Sequence, residues 1–290
     1  MRILSIQSSV AFGHVGNSAA VFPLQRLGHE VIAVNTVHFS NHTGYGAWRG
    51  LVMDPAVIAE VIEGVADRDA LTGVDAVLTG YQGSPGVAAV VLDTVARVRA
   101  LNPDAVYCAD PVMGDVGRGM FVLPGVPELI REQVVPVADV LTPNAFELAY
   151  LAFGGDPAAV DVDRVGTLEQ LLAAVDLVRA MGPRTVLVTS VLGSVVEAGQ
   201  IGLLAVDDSG AYLVRTPELP LSVNGAGDVT AALFLAHLDA GIATALARVA
   251  SSVYGVLAAT HRAGSREIAL IAAQDMIADA PGEFAVDKVR

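Results

Sequence analysis

The chain has almost no lysine. Of its 17 basic residues, all but Lys288 in the tail are arginine. A Walker-type phosphate loop, a protein-kinase site and a pyridoxal-phosphate Schiff base each need a lysine in the body of the fold, so all three are excluded. Cysteine is as scarce. Cys108 stands alone, which rules out a disulfide framework and a cysteine-based zinc site. Positive charge is short overall, with a formal net charge of −14, and this argues against a nucleic-acid or anionic-membrane surface. No apolar run is expected to reach the ~18 residues of a membrane helix, because Asp93, Arg97, His237 and Arg248 interrupt the longest candidates. The first residues enter a strand-like run at once and carry no signal-peptide pattern, so cytoplasm is the expected compartment. No G-x-S-x-G elbow and no G-x-G-x-x-G fingerprint follows a strand, which counts against hydrolase and dinucleotide readings.

What is abundant is hydrophobicity, at 53% of residues, arranged as apolar β-branched runs alternating with helical patterns. The runs predict strands over 2–7, 30–37, 76–79, 106–109, 140–141 and 185–189, with helices near 17–27, 55–65, 86–100, 145–153 and 168–181. Continuous rather than alternating hydrophobicity indicates strands buried on both faces. Asp207-Asp208-Ser209-Gly210, between two further apolar runs, predicts a hairpin, and residues 226–260 predict two helices joined at Gly241. No repeat or linker divides the chain. The expectation is one α/β domain over residues 1–290, a doubly wound and mostly parallel sheet with flanking helices. In such sheets ligands bind beyond the carboxyl ends of the strands. Polar clusters fall at those ends: Ser8-Ser9, Asn41 to Gly46, Gly80-Tyr81, Asp110-Pro111, Thr142-Pro143-Asn144 and Thr189-Ser190.

Three clusters stand out. Gly225-Ala226-Gly227-Asp228 precedes a nearly all-apolar helix. Capping by Asn224 or Asp228 is one reading. The other is that tiny residues let an anion approach the N–H groups and dipole of the helix start, in place of the missing lysine. Asp110-Pro-Val-Met-Gly-Asp115, with Gly117, Arg118 and Gly119 after it, suggests a metal–nucleotide role joined to a mobile flap, its glycines acting as hinges. Thr142-Pro-Asn144-Ala-Phe-Glu147 reads either as a helix start with a capping box or as a route from Glu147 to Mg²⁺. Among the histidines, His38 and His42 lie four apart but without a helix to align them, so a zinc pair is not expected. His14, His29, His237 and His261 are solitary and read as structural. Cys108 lies in an apolar strand and reads as packing.

Together these segments resemble the pyridoxal kinases of the ribokinase-like superfamily over nearly the whole chain. The resemblance rests on Ser5-Ile6-Gln7-Ser8, Gly13-His-Val-Gly-Asn17, Asn35 to Thr43, Leu78-Thr-Gly-Tyr81, Asp110-Pro-Val-Met-Gly114, Thr142-Pro-Asn144 with Glu147, and the Gly225–Asp228 stretch. Phe39-Ser-Asn-His-Thr-Gly-Tyr45 is its most specific part. It implies ATP-dependent phosphorylation of the 5′-hydroxymethyl group of pyridoxal, with Asp228 as catalytic base and Gly225, Ala226 and Gly227 as the anion hole. It implies that Ser8, Thr43 and Tyr81 contact the pyridine ring. Asp110, Asp115, Asn144 and Glu147 then organise the Mg²⁺–triphosphate, Thr189 and Ser190 approach the phosphates, and residues 115–122, Arg118 among them, form a lid over ATP. Asp110, Glu147 and Thr142 are the implied metal contacts, with Asp110, Thr142 and Thr189 around K⁺. A homodimer is implied too. The sequence departs from the family pattern at Ser9, Asn224, Ala226 and Met120. Two alternatives stay open: a hydroxymethylpyrimidine (phosphate) kinase of the same fold, and a weakly catalytic pyridoxal or pyridoxal-phosphate binding protein.

Overall fold

The computed structural model describes all 290 residues. Its strands are β1 (Arg2–Val10), β2 (Glu30–Phe39), β3 (Gly50–Val52), β4 (Ala76–Thr79), β5 (Val106–Ala109), β6 (Gly114–Asp115), β7 (Gly119–Met120), β8 (Val140–Leu141), β9 (Thr185–Val191), β10 (Gln200–Asp207), β11 (Gly210–Pro217) and β12 (Val286–Lys288). Its α-helices are α1 (Asn17–Arg26), α2 (Pro55–Ala66), α3 (Pro85–Leu101), α4 (Val126–Leu129), α5 (Ala145–Phe153), α6 (Leu168–Arg179), α7 (Ala226–His237), α8 (Ile242–Arg262) and α9 (Gln274–Ala278). Ten strands form one sheet in the order β12-β11-β10-β9-β8-β5-β4-β1-β2-β3, and β6 pairs only with β7. The six central strands are parallel. Antiparallel pairs close the sheet at both edges, β3 on one side and β10 to β12 on the other.

Neighbouring residues of each central strand face opposite cores. Leu4 and Ile6 of β1 join one core with Val77 of β4 and Tyr107 of β5, while Ile3, Leu78 and Cys108 join the other. Burial on both faces is why apolar residues in these strands run consecutively and do not alternate. The first core is covered by α2, α3, α5 and α6; the second by α1, α7, α8 and α9. Helix α7 is apolar nearly all round because it is buried between the sheet, α1 and α8.

Two sequence expectations need correction. β1 and β2 run further than predicted, to Val10 and Phe39, because pairing resumes at Ser9↔His38 after a register shift. Ser18 Oγ reinforces that extension by accepting from Val10 N at 3.0 Å and donating to Val10 O at 2.8 Å. Secondly, α8 does reach the length and mean hydropathy of a membrane span. Half of its most apolar stretch is buried, against the sheet and α7, and the core accounts for its composition.

From β1 the chain steps to β2 on one side, and later through β4, β5, β8 and β9 on the other. The strand order therefore reverses between β1 and β4, and a crevice opens beyond their carboxyl ends. β4 is fixed there by a buried pair: Thr79 Oγ1 lies 3.0 Å from Tyr107 Oη, with both residues wholly buried. Tyr107→Phe leaves the Thr79 hydroxyl without a partner and is expected to lower stability by about 1–3 kcal/mol. Adding Thr79→Val should recover much of that loss. Urea unfolding of the two single variants and the double variant checks this, and strictly additive losses would count against it.

Candidate active site

The crevice is floored by the first turn of α7. Gly225, the residue before the helix, has φ 92°, and a Cβ there would stand 1.8 Å from His14 O. Only glycine fits both the left-handed backbone and the close approach. No side chain caps the helix. Asn224 caps none of the helix N–H groups, those of 226 and 227 have no side-chain acceptor, and that of 228 meets its own carboxylate. An uncapped helix start lined by Gly225, Ala226 and Gly227 suits an anion. Asp228 stands within the same turn. Burial pushes its carboxyl up to about 6, although the Gly16 N–H and its own N–H partly hold it down.

Beside Asp228 runs the β4 loop. A Cβ on Gly80 would lie 3.6 Å from Asp228 Oδ1 and 2.6 Å from Gln7 Oε1, so glycine lets that loop pass. Behind it lies a buried chain of amides and hydroxyls that the sequence did not announce. Gln7 Nε2 donates to Ser5 Oγ, Ser5 Oγ donates to Asn17 Oδ1, and Asn17 Nδ2 donates to Asn35 Oδ1 and Val34 O. This chain locks β1, α1 and β2 together behind the site.

Asp110 ends β5, Thr142 follows β8, and Glu147 lies in the first turn of α5. Asp110 Oδ1 accepts from Thr142 Oγ1 at 3.1 Å. The Asp110 carboxyl is raised well above its usual range, first by burial and then by the charges of Glu147 and Asp228. Burial also raises Glu147, to about 8, against three backbone donors. Those donors decide between its two sequence readings. Glu147 Oε1 accepts from Met113 N (2.8 Å) and Gly114 N (3.3 Å), and Oε2 accepts from Asn144 N (2.9 Å), while Asn144 Oδ1 caps Glu147 N. The capping box is real, and both carboxylate oxygens are engaged by backbone. No group of three or more His, Cys, Asp or Glu is arranged as a metal cluster. A carboxylate trio with no cation beside it, raised chiefly by burial, is still what a divalent ion on phosphate would relieve. Mg²⁺ suits such a place, since it takes one or two carboxylates and keeps phosphate oxygens and water as its other ligands.

Thr189 and Ser190 lie on a β-bulge. Both stand opposite the single residue Leu203, between the pairs Val188↔Leu204 and Val191↔Gly202, and Ser190 adopts φ 55°. A bulge turns side chains out of the pleat and so aims them at a site edge. Thr189 N also donates to Pro143 O at 2.9 Å, which ties this edge to Thr142 and Asn144.

The expected flap is a hairpin of β6 and β7, with Gly117 and Gly119 at φ 77° and 68°. Gly114 is no hinge: a Cβ there would strike Phe146 at 2.5 Å and Gly119 O at 2.8 Å, so it is glycine for packing. Asp115 accepts from Val116 N in its own turn, 2.8 Å away. Arg118 reaches across to Asn224, donating to Oδ1 at 3.2 Å, and stacks 5.1 Å over Phe121. Its guanidinium is thereby held beside the α7 entrance.

The three residues expected at a ring sit on three loops. Ser8 ends the buried part of β1 and is covered by Gly16, whose Cβ would strike Ser8 Oγ at 2.3 Å. Tyr81 follows β4, its carbonyl accepts from Thr36 Oγ1 at 3.1 Å, and burial raises its hydroxyl. Thr43 is exposed at the start of a 3₁₀ turn, Thr43–Tyr45. That turn is anchored by Glu267, which no sequence signal marked: its carboxylate holds His42 and Tyr45 from more than 200 residues away. His42 also packs against Tyr45, ring centroids 4.7 Å apart.

This arrangement, an acid at an uncapped helix start facing buried carboxylates across a switch-point crevice, defines a ribokinase-like phosphotransferase. Residues 24–267 match the sequence model of the phosphomethylpyrimidine kinase family. A pyridoxal kinase of Leifsonia xyli is 56% identical over the full length of both chains. One from Rubrobacter xylanophilus is also 56% identical, over all of this chain and 98% of its own. The structure of a pyridoxal kinase from Leishmania donovani in complex with ADP and ginkgotoxin superposes with a TM-score of 0.90 at 32% identity, covering 100% of this chain and 99% of that one. The chain belongs to the pyridoxal kinase family.

The two glycines of the α7 entrance make different predictions. Gly225→Ala should cost at least about 2 kcal/mol, since it combines a strained φ with a backbone clash. A Cβ at Gly227 meets nothing within 4 Å, so Gly227→Ala should leave stability unchanged or slightly raised. Equal effects in urea unfolding would show that the entrance is not packed this way.

Proposed function

We propose that this chain is a single kinase domain that transfers the γ-phosphoryl group of ATP to the 5′-hydroxymethyl group of pyridoxal, giving pyridoxal 5′-phosphate. The observation that carries the reading is Asp228, half-buried in the first turn of an uncapped helix at the switch point. Asp228 accepts a hydrogen bond from the alcohol, orients its oxygen toward the γ-phosphorus, and takes the proton late, as the new O–P bond forms. A carboxylate cannot remove an alcohol proton beforehand, so orientation is its main contribution. The N–H groups at Gly225, Ala226 and Gly227 take up negative charge on the transferring group. Arg118 and the bulged pair Thr189 and Ser190 approach the phosphates from the other side. Ser8, Thr43 and Tyr81 hold the ring.

Mg²⁺, when bound with the nucleotide, neutralises phosphate charge. Asp110 is the residue whose carboxylate is free to hold it. Glu147 supports that place by fixing Met113, Gly114 and Asn144 through its backbone contacts, and Asp115 and Asn144 serve the same edge. Asp110, Thr142 and Thr189 are the donors for a monovalent cation such as K⁺. Lys288, the sole ε-amine, donates to Ser209 O at 3.0 Å in the β11–β12 corner, away from the crevice, so the product aldehyde is held by reversible contacts. A homodimer is part of the reading: Trp48, Leu51, Val52, Val57 and Val61 leave the β3 edge and α2 apolar and exposed. A cytoplasmic enzyme with no nucleic-acid or membrane partner completes it.

The test is ATP-dependent phosphorylation assayed in parallel on pyridoxal, pyridoxine, pyridoxamine and hydroxymethylpyrimidine. Turnover of the pyridines is expected. Preference for the pyrimidine would move the chain to the activity that the matched family model is named for, and binding without ATP consumption would make it a reservoir. For the wild type, kcat/KM for pyridoxal should hold steady at neutral pH and fall on acidification through about pH 6, as the Asp228 carboxylate is protonated in the free enzyme. Asp228→Asn should lower kcat about 10²–10⁴-fold and remove that acid limb. Wild-type-like turnover in the variant would take Asp228 out of the mechanism.

A further inference from the structure

Ser5 and Gln7 share one face of β1, and the hydrogen bonds that join them to Asn17 have a forced direction. Backbone carbonyls set it at the far end. Asn17 Nδ2 lies 3.0 Å from Val34 O and 3.4 Å from Ser5 O, and a carbonyl only accepts, so the nitrogen of that amide is identified. Asn17 Oδ1 then needs a donor, and the Ser5 hydroxyl supplies it at 2.7 Å. With its one proton on Asn17, Ser5 Oγ can only accept from Gln7, so the Gln7 atom 3.0 Å away is Nε2. None of the three residues is more than 5% exposed. Turning the Gln7 amide over would set two buried acceptors against one hydroxyl proton, a costly arrangement.

Gln7 Oε1 is therefore aimed the other way, toward Asp228. Oε1 stands 2.6 Å, and Asp228 Oδ1 3.6 Å, from the point where a Cβ on Gly80 would lie. No group of the chain donates to Oε1, and it is not one of the enclosed, unpartnered polar atoms, which are His42 Nδ1, Gln82 Oε1 and His237 Nε2. The orientation has a chemical consequence. An amide nitrogen in that place would donate to the Asp228 carboxylate and compete with the alcohol for it. With an oxygen there, Asp228 meets only the Gly16 N–H and its own N–H, and stays open to the alcohol. As the alcohol oxygen bonds to the γ-phosphorus and the bond to the ADP oxygen breaks, the alcohol proton passes to Asp228. The new O–H then has Gln7 Oε1 beside it as an acceptor. The start of α1 serves both partners, since Gly16 holds Asp228 and Asn17 directs Gln7.

We propose that Gln7 is a positioning residue for phosphoryl transfer: the chain from Val34 O through Asn17 and Ser5 turns its oxygen, not its nitrogen, toward Asp228 and so keeps that carboxylate open to the alcohol and its proton. The inference rests on the proposed kinase reading. Gln7→Met, close in volume, should lower kcat for pyridoxal about 5- to 20-fold, with KM for pyridoxal and ATP within about twofold of wild type. Ser5→Ala releases the amide to turn its nitrogen onto Asp228. It should lower kcat at least about 10-fold in the Gln7 protein, and less than about twofold further when added to Gln7→Met. In the Asp228→Asn background, Gln7→Met should change kcat less than about twofold. That second cycle carries the test if Ser5→Ala does not fold. Additive losses, or a raised KM in place of a lowered kcat, would overturn the proposal. Exchange of the Gln7 side-chain amide protons, followed by NMR, needs no turnover: it should be slow in the wild type and fast in Ser5→Ala. Fast exchange in the wild type would overturn the forced orientation. Slow exchange in a wild type that phosphorylates none of the four alcohols would instead overturn the kinase reading, and the role of Gln7 with it.

Discussion

The burial of three carboxyl groups, Asp110, Glu147 and Asp228, with no cation beside them is the constraint around which the rest is organised. The three carboxyl groups gather beyond the carboxyl ends of a parallel sheet; burial and the charges of Glu147 and Asp228 raise Asp110, burial and the charge of Asp115 raise Glu147, and burial raises Asp228. Stability alone does not select such a group, since the unpaired charges cost free energy in the folded state. What offsets them is partial: three backbone N–H groups on Glu147, one threonine hydroxyl on Asp110, and the Gly16 N–H with its own N–H on Asp228. No lysine or arginine pairs with any of them.

Close backbone approach is the second organising feature. Gly13, Gly16, Gly80 and Gly225 each have another atom where a Cβ would stand: a Glu267 oxygen, Ser8 Oγ, Gln7 Oε1 and His14 O. At these glycines the backbone of the crevice loops therefore lies directly against its neighbours, with no side chain of its own between. Glu267, the β1 loop and the entrance of α7 are in direct contact through them. That stacking holds the acid and the uncapped N–H groups in a single geometry, as transition-state stabilisation by fixed dipoles requires.

Much of this was legible in the sequence, for identifiable reasons. The central strands are buried on both faces, so their apolar runs coincide with the observed elements at β4, β5 and β8, and the polar ends of those runs are the rim of the site. β3 and β12 were not legible, because three-residue edge strands carry no periodicity. At Asn144 to Glu147 the pattern could not separate a capping box from a metal ligand; the structure shows the box. At Gly114 composition suggested a hinge where packing against Phe146 is the cause. Glu267 was invisible, since its partners lie more than 200 residues away in sequence and no local pattern marks it.

The carboxylate constraint is most directly tested by calorimetry of Mg·ADP binding at pH 7 in two buffers of different ionisation enthalpy. Glu147, with its carboxyl near 8, holds its proton at that pH in the free protein, and burial with the charges of Glu147 and Asp228 raises Asp110 beside it. A cation bound among them favours the ionised forms, so binding must release protons. The account predicts a heat that depends on the buffer, with net proton release that shrinks in Asp110→Asn. A buffer-independent heat would contradict it.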